Sequence, residues 1–274
     1  MLILRLLALL LVLVPFSAHA VIYETNEWAN KTQAGWSYSG TTTDNATDTP
    51  AGGGTIRMQW SAGNYPVCCS IGGGRAEYGN LPAGLTELYI GHWVKWSNPY
   101  DWNPVGSKID YMITRDAYAG DLGTGKDNFL TMIQDNGTTL TFTQQLWMDC
   151  TPGPCTRSRT NNVGSINIIK GRWYWLEIHV RYNTVGVQDG LIEIWLDDVL
   201  KMQHSNVTYR TTNTTIGNFQ HSPEWGGGGG VINQTQYVWF DHTVLSSTRI
   251  GMPGGVPVPT DTTPPTAPSS LVAQ

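Results

Sequence analysis

The chain has 274 residues, a formal net charge of −5 and only 14% charged residues, with Gly (31), Trp (12) and Tyr (12) abundant. A mildly acidic chain without a basic cluster argues against nucleic-acid binding, and an anionic polymer would have to be met by local cations. The length suits one large β domain, and no apolar run after the N-terminus is long enough to span a membrane.

At the N-terminus Arg5 precedes an apolar run over 6–16 and the small-residue stretch Ser17, Ala18, His19, Ala20. This is the pattern of a secretory signal peptide cleaved after Ala20. Residues 1–20 are therefore read as a leader, the protein as secreted, and 21–251 as the folded domain. An uncleaved anchor is the alternative reading of the same run. Four cysteines suit an oxidising compartment. Cys150 and Cys155 flank a Pro-Gly turn, where a local bridge is the simplest reading. Cys68 and Cys69 either bond each other or cross to the 150–155 loop, and the sequence does not choose. Neither pair has zinc-site spacing with nearby histidines, so no metal ligands are assigned.

No long helical periodicity follows; apolar–polar alternation recurs, punctuated by Gly, Asn, Asp and Pro. Residues 55–60 read as a strand. Residues 86–96 form another, with Leu88, Ile90, His92 and Val94 on one face. Over 107–115, Ile109, Tyr111 and Ile113 oppose Lys108, Asp110 and Met112. Over 139–149, Leu140, Phe142, Leu146 and Met148 oppose Thr141, Thr143, Gln145, Trp147 and Asp149. Residues 171–200 form a hairpin. Tyr174, Leu176, Ile178, Val180 and Tyr182 make an apolar face, and Trp173, Trp175, Glu177, His179 and Arg181 make the other. The second strand repeats this, with Ile192, Ile194 and Leu196 against Glu193, Trp195 and Asp197. The glycine run 226–230 lacks the ending and setting of a phosphate loop; it lines a groove beside Trp225 or serves as a connector. Residues 236–246 form a late strand, with His242 on the side of Val238, Phe240 and Val244 and read as a satisfied core histidine. Six Asn-x-Thr sequons mark polar loops. After Gly251 the composition turns to Pro and Thr. Residues 252–274 read as an extended linker leading into a missing fibronectin type III module, or as a plain tail. Many strands without helices indicate an all-β, two-sheet antiparallel jelly-roll sandwich.

Several motifs together resemble the bacterial secreted jelly rolls of the concanavalin A-like class, specifically the glucuronan- and heparin-lyase-like polysaccharide lyases. They are 87–97 (ELYIGHWVKWS), 104–109 (PVGSKI), 171–177 (GRWYWLE), 190–197 (GLIEIWLD), Trp225 with the glycine run, and 237–246 (YVWFDHTVLS). The resemblance spans most of residues 50–250 and implies a polysaccharide partner. The Glu-x-Asp-x-x-Glu strand of related glucanases is missing, as are the Gln-x-His and Tyr-x-Lys-x-Gly-x-Tyr-x-Gln strands of one alginate lyase family. A glycosidase of the former type is therefore not implied.

β-Elimination on a uronic acid requires a cation or amide to neutralise the carboxylate, a base for the C5 proton and an acid for the leaving oxygen. The 173–181 face offers His179 as base and Arg181 as neutraliser. Lys108 and Gln145 lie on polar faces of other strands and are expected to converge with them, with Tyr237 as acid. Trp147, Trp175, Trp195 and Trp225 are candidate platforms for sugar rings, against the reading that tryptophans fill the sandwich. Glu177 and Glu193 line the same face; Glu177 orients His179, or the two form a glycosidase pair or a surface pairing. The leading expectation is a lyase acting on an acidic glycan. The alternatives are a non-catalytic carbohydrate-binding or adhesive module of a larger extracellular protein, and a structural surface protein. No cofactor is expected; Asp197 with Asp198, and the loop carrying Asp44 and Asp48, leave room for structural calcium without forming a known calcium frame. The protein is expected to be a monomer or part of a longer multidomain chain.

Overall fold

The computed structural model describes residues 20–28, 33–40, 42–44, 48–63, 74–103, 106–114, 128–135, 140–148, 155–225 and 230–255. Cys68, Cys69, Cys150, the 226–229 glycines and the tail from 256 lie outside them. No helix among the described residues is long and apolar enough to cross a membrane.

Among the described residues the alternating pattern folds into fifteen strands: β1 (Ile22–Asn26), β2 (Trp36–Ser39), β3 (Thr42–Asp44), β4 (Thr55–Trp60), β5 (Arg75–Tyr78), β6 (Glu87–Trp96), β7 (Ser107–Thr114), β8 (Asn128–Asp135), β9 (Leu140–Met148), β10 (Cys155–Thr160), β11 (Trp173–Arg181), β12 (Gly190–Leu196), β13 (Val199–Val207), β14 (Ile216–Glu224) and β15 (Gln236–Ser246). They form two antiparallel sheets. One has eight strands in the order β13-β12-β11-β6-β15-β4-β3, with β1 also pairing β15; the other has seven, ordered β10-β9-β8-β7-β14-β5-β2. This is the two-sheet jelly roll that the alternation implies. One inward row per strand fills the space between the sheets: Leu88, Ile90 and Val94 from β6, Leu176 and Ile178 from β11, Ile192 and Ile194 from β12, Phe219 from β14 and Phe240 from β15. Burying aliphatic and aromatic side chains of this size is the main drive for closing the sandwich.

Two bulges shift faces that strict alternation would assign. In β7 the register slips between Lys108 and Asp110, so Ile109 and Asp110 are both buried, and Asp110 lies opposite the interior residue His221. Lys108 and Asp110, expected on one face, therefore part. In β15 the register slips between Asp241 and Val244 around His242, which has φ 44°. His242 is not a core residue: its Nδ1 meets Glu27 at 2.5 Å, and Val244 packs with Trp93 and Trp175 on the far side of the eight-stranded sheet. An extra residue in one strand reverses every side chain beyond it, which composition does not reveal.

Candidate functional site

The outer face of the 171–200 hairpin holds the cluster expected there, and the protein's own chain closes it. His179 stacks on Tyr89 with centroids 3.8 Å apart; its Nδ1 meets Glu193 and its Nε2 meets Glu87, each at 2.8 Å. With both nitrogens engaged, the imidazole has no free position to take a proton from a substrate. Glu177 is fully buried and accepts the backbone N–H groups of Ile250 (2.7 Å) and Gly251 (3.0 Å). Burial pushes its carboxyl up, with those two amides pulling it back. It neither touches His179 as an orienting partner nor faces Glu193 across a cleft. Trp175 is buried beneath Ile250 and Met252 against Trp93, and Trp195 lies under the Arg249 guanidinium at 4.7 Å. Asp197 holds Arg172 and the Trp175 N–H, and Asp198 holds Arg249 and the Met252 N–H. The start of the expected linker, Met252, thus belongs to the folded domain.

The other expected residues do not gather around His179. Arg181 shares its face, with one guanidinium nitrogen 3.4 Å from the Asp189 carbonyl. Tyr237 sits two strands from β11 on the same sheet, its ring under the Arg57 guanidinium at 5.0 Å. Trp225 is buried in the main core, so it fills the sandwich and offers no platform. Lys108 and Gln145 belong to the seven-stranded sheet, pointing away from its buried face. The expected convergence with His179 therefore fails: the sandwich lies between them, and stacked sheets alone are ~10 Å apart. Trp147 falls in β9, and its side chain lies outside the described residues.

The outer face of the seven-stranded sheet carries a second polar surface. Phe219 and His221 face the core, so Gln220 between them faces outward. The register sets Ser37, Glu77, Gln220, Tyr111, Leu130, Gln145 and Ser158 in one transverse row across all seven strands. Beside the row, Asn218 donates to Glu77 Oε1 at 2.8 Å, Arg75 lies 3.6 Å from Glu77, and Lys108 pairs with Glu224 at 2.7 Å. Gln220 is fully buried, and neither atom of its amide has a hydrogen-bond partner; the Asn218 carbonyl oxygen is also unpartnered. Buried amides are normally satisfied, so these two stand out as unfilled hydrogen-bonding capacity on this face. The period-two alternation of β14, which presents Asn218 and Gln220 on one face, was the available signal in the sequence.

A cleft of about 720 Å3 opens on the other sheet between Glu27, Trp93, His242 and the 50–53 loop. Asp241 lies alongside it, buried, with Oδ2 3.3 Å from the Ala51 N–H and its carboxyl pushed up to about 6 by burial. With two carboxylates and, among the described residues that line it, neither lysine nor arginine, this cleft is a poor receptor for an anionic sugar.

No protein-family model matches the chain, and no curated protein matches it. Its fold is that of several solved lyases. An endo-β-1,4-glucuronan lyase from the fungus Trichoderma reesei superposes with a TM-score of 0.60 at 14% identity, over 83% of this chain and 96% of that one. Alginate lyase vAL-1 from Chlorella virus gives 0.58 at 14% identity, over 76% and 90%. A mutant of alginate lyase Aly36B in complex with alginate trisaccharide gives 0.54 at 18% identity, over 71% and 82%. At these identities the likeness is one of fold.

Proposed function

We propose that the protein is a secreted polysaccharide lyase acting by β-elimination on a uronate-containing glycan, with its site on the outer face of the seven-stranded sheet. The observation that carries this is the unpartnered side-chain amide of Gln220 at the centre of the transverse row. An amide N–H is the donor type that neutralises a uronate carboxylate, and Lys108 on the same sheet supplies a cation near the end of β14. Tyr111 occupies the neighbouring register position and is a residue type that can carry the proton. All three structural neighbours described above are by name lyases of polymers of this chemical class, which supports the reading through the fold.

The test is incubation of the full chain with glucuronan, alginate and heparin while following the absorbance of the unsaturated product. Product is expected on at least one polymer. Gln220→Ala is expected to cut the rate by about 10²-fold, the usual scale for losing one preorganised donor, while His179→Ala retains activity below its melting point. A flat trace on all three polymers overturns the lyase reading. Retention on a polymer affinity gel without product would indicate a binding module on the same face.

A further inference from the structure

Polar residues are scarce between packed sheets, yet a seam of them crosses this interior. His221, Asp110, Thr131 and Gln144 are register neighbours along β14, β7, β8 and β9, and all four are buried. From the opposite sheet, His92 of β6 and Thr243 of β15 meet them, also buried. His221 Nδ1 lies 2.6 Å from Asp110 Oδ1, and His221 Nε2 lies 2.8 Å from Thr243 Oγ1. His92 Nε2 stands 3.3 Å from Asp110 Oδ2 without the alignment of a hydrogen bond. Both ring nitrogens of His92 and the Asp110 Oδ2 therefore lack hydrogen-bond partners, although the aromatic rings of Phe219 and Phe240 pack against this cluster. Such groups are costly to bury unless something unites them.

We infer that His92, Asp110 and His221 bind one divalent transition-metal ion, of the zinc or cobalt class, which clamps the two sheets together. One donor atom from each residue lies within 4.8 Å of the others, so shifts of about an ångström bring all three to bonds of ~2.0–2.2 Å. Two imidazoles with one carboxylate select borderline transition metals over calcium or magnesium, which take oxygen ligands. Thr243 supplies the outer partner that ligating histidines require. Without metal, His221 donates from Nδ1 to Asp110 and accepts at Nε2 from the Thr243 hydroxyl. With metal, the proton moves to Nε2, which donates to Thr243 Oγ1, and the Nδ1 lone pair ligates; the imidazole stays neutral throughout. Burial holds both imidazoles in this neutral form, His92 at about 3 and His221 well below its ordinary value. It also pushes the Asp110 carboxyl up to about 6.

The test uses the full chain produced in zinc-containing medium. Elemental analysis is expected to find one zinc per chain, and X-ray absorption to show a nitrogen/oxygen first shell with imidazole scattering. Chelation lowers the melting temperature, and zinc or cobalt restores it. His92→Leu and, separately, Asp110→Asn are expected to lose the ion, whereas His204→Ala, on an edge strand, keeps it. A sulfur first shell would assign the zinc to cysteines and overturn the site. So would an ion retained in His92→Leu, or a wild-type protein that binds neither zinc nor cobalt and melts unchanged with chelator, in which case the seam holds water alone. If neither variant folds, the wild-type absorption spectrum decides.

Discussion

Replacing His179 by alanine separates a catalytic hairpin from a structural one. The imidazole bridges Glu87 on β6 and Glu193 on β12 and stacks on Tyr89, so its removal takes away two charge-assisted bonds and a ring contact. The Glu87 side chain is 44% exposed, so that bond carries a surface value of ~0.5 kcal/mol. The Glu193 side chain is 15% exposed, and its bond is worth ~2 kcal/mol. Loss of the Tyr89 stack adds ~0.5 kcal/mol. The sum is a destabilisation of about 3 kcal/mol, which for a domain of this size lowers the melting temperature by roughly 6–12 °C. Urea unfolding and thermal melts measure this, and product formation is followed on the same preparations well below the melting point. His179→Ala is expected to melt early and still work. A variant that melts like the wild type and forms no product would refute the structural assignment and return the chemistry to the hairpin.

Two further outcomes follow from the same outer face of the eight-stranded sheet. Burial raises the Asp241 carboxyl from its ordinary 3.8 to about 6, so the folded state binds the proton more tightly than the unfolded state. Its contribution to stability is present in full below pH ~4 and is lost as pH rises through ~6, a loss of about 3 kcal/mol by pH 7. Asp241→Asn keeps an acceptor for the Ala51 N–H, so it should melt higher than the wild type at pH 7, with the gap closing towards pH 4; a constant gap would contradict the assignment. Gly91 lies under the Trp175 indole, where an added Cβ would stand 2.3 Å from Cζ2. Gly91→Ala should cost ~2 kcal/mol through overpacking, read as a lower urea midpoint with altered near-ultraviolet tryptophan dichroism; an unchanged midpoint would show that the indole yields freely.

The architecture was legible because each strand buries one face, and a period of two survives in the residues even where turns are obscure. The inward row of β11 and the core position of His92 follow from that alone. Three things were not legible, each for a physical reason. A bulge leaves no compositional trace, so strict alternation puts Asp110 and His242 on the wrong sides. The outer face of the hairpin reads as exposed because nothing in its own sequence shows that residues 249–252 return to cover it. Strand alternation also does not tell which sheet a strand joins, so the polar faces of β7 and β9 suggest a grouping of Lys108 and Gln145 with His179 although they belong to the other layer. The partnerless amide of Gln220 is a property of packing, visible only once its neighbours are in place.

Glu177 holds two consecutive backbone amides just after the last strand, and that gives the domain a defined load path. Tension applied to the chain beyond Met252 bears first on the Ile250 and Gly251 bonds and on the Met252 amide held by Asp198. Force is thereby delivered into β11, a central strand hydrogen-bonded on both sides, before it reaches β15. The buried carboxylate thus pins the segment after β15 to β11, and that segment must detach before β15 itself is loaded.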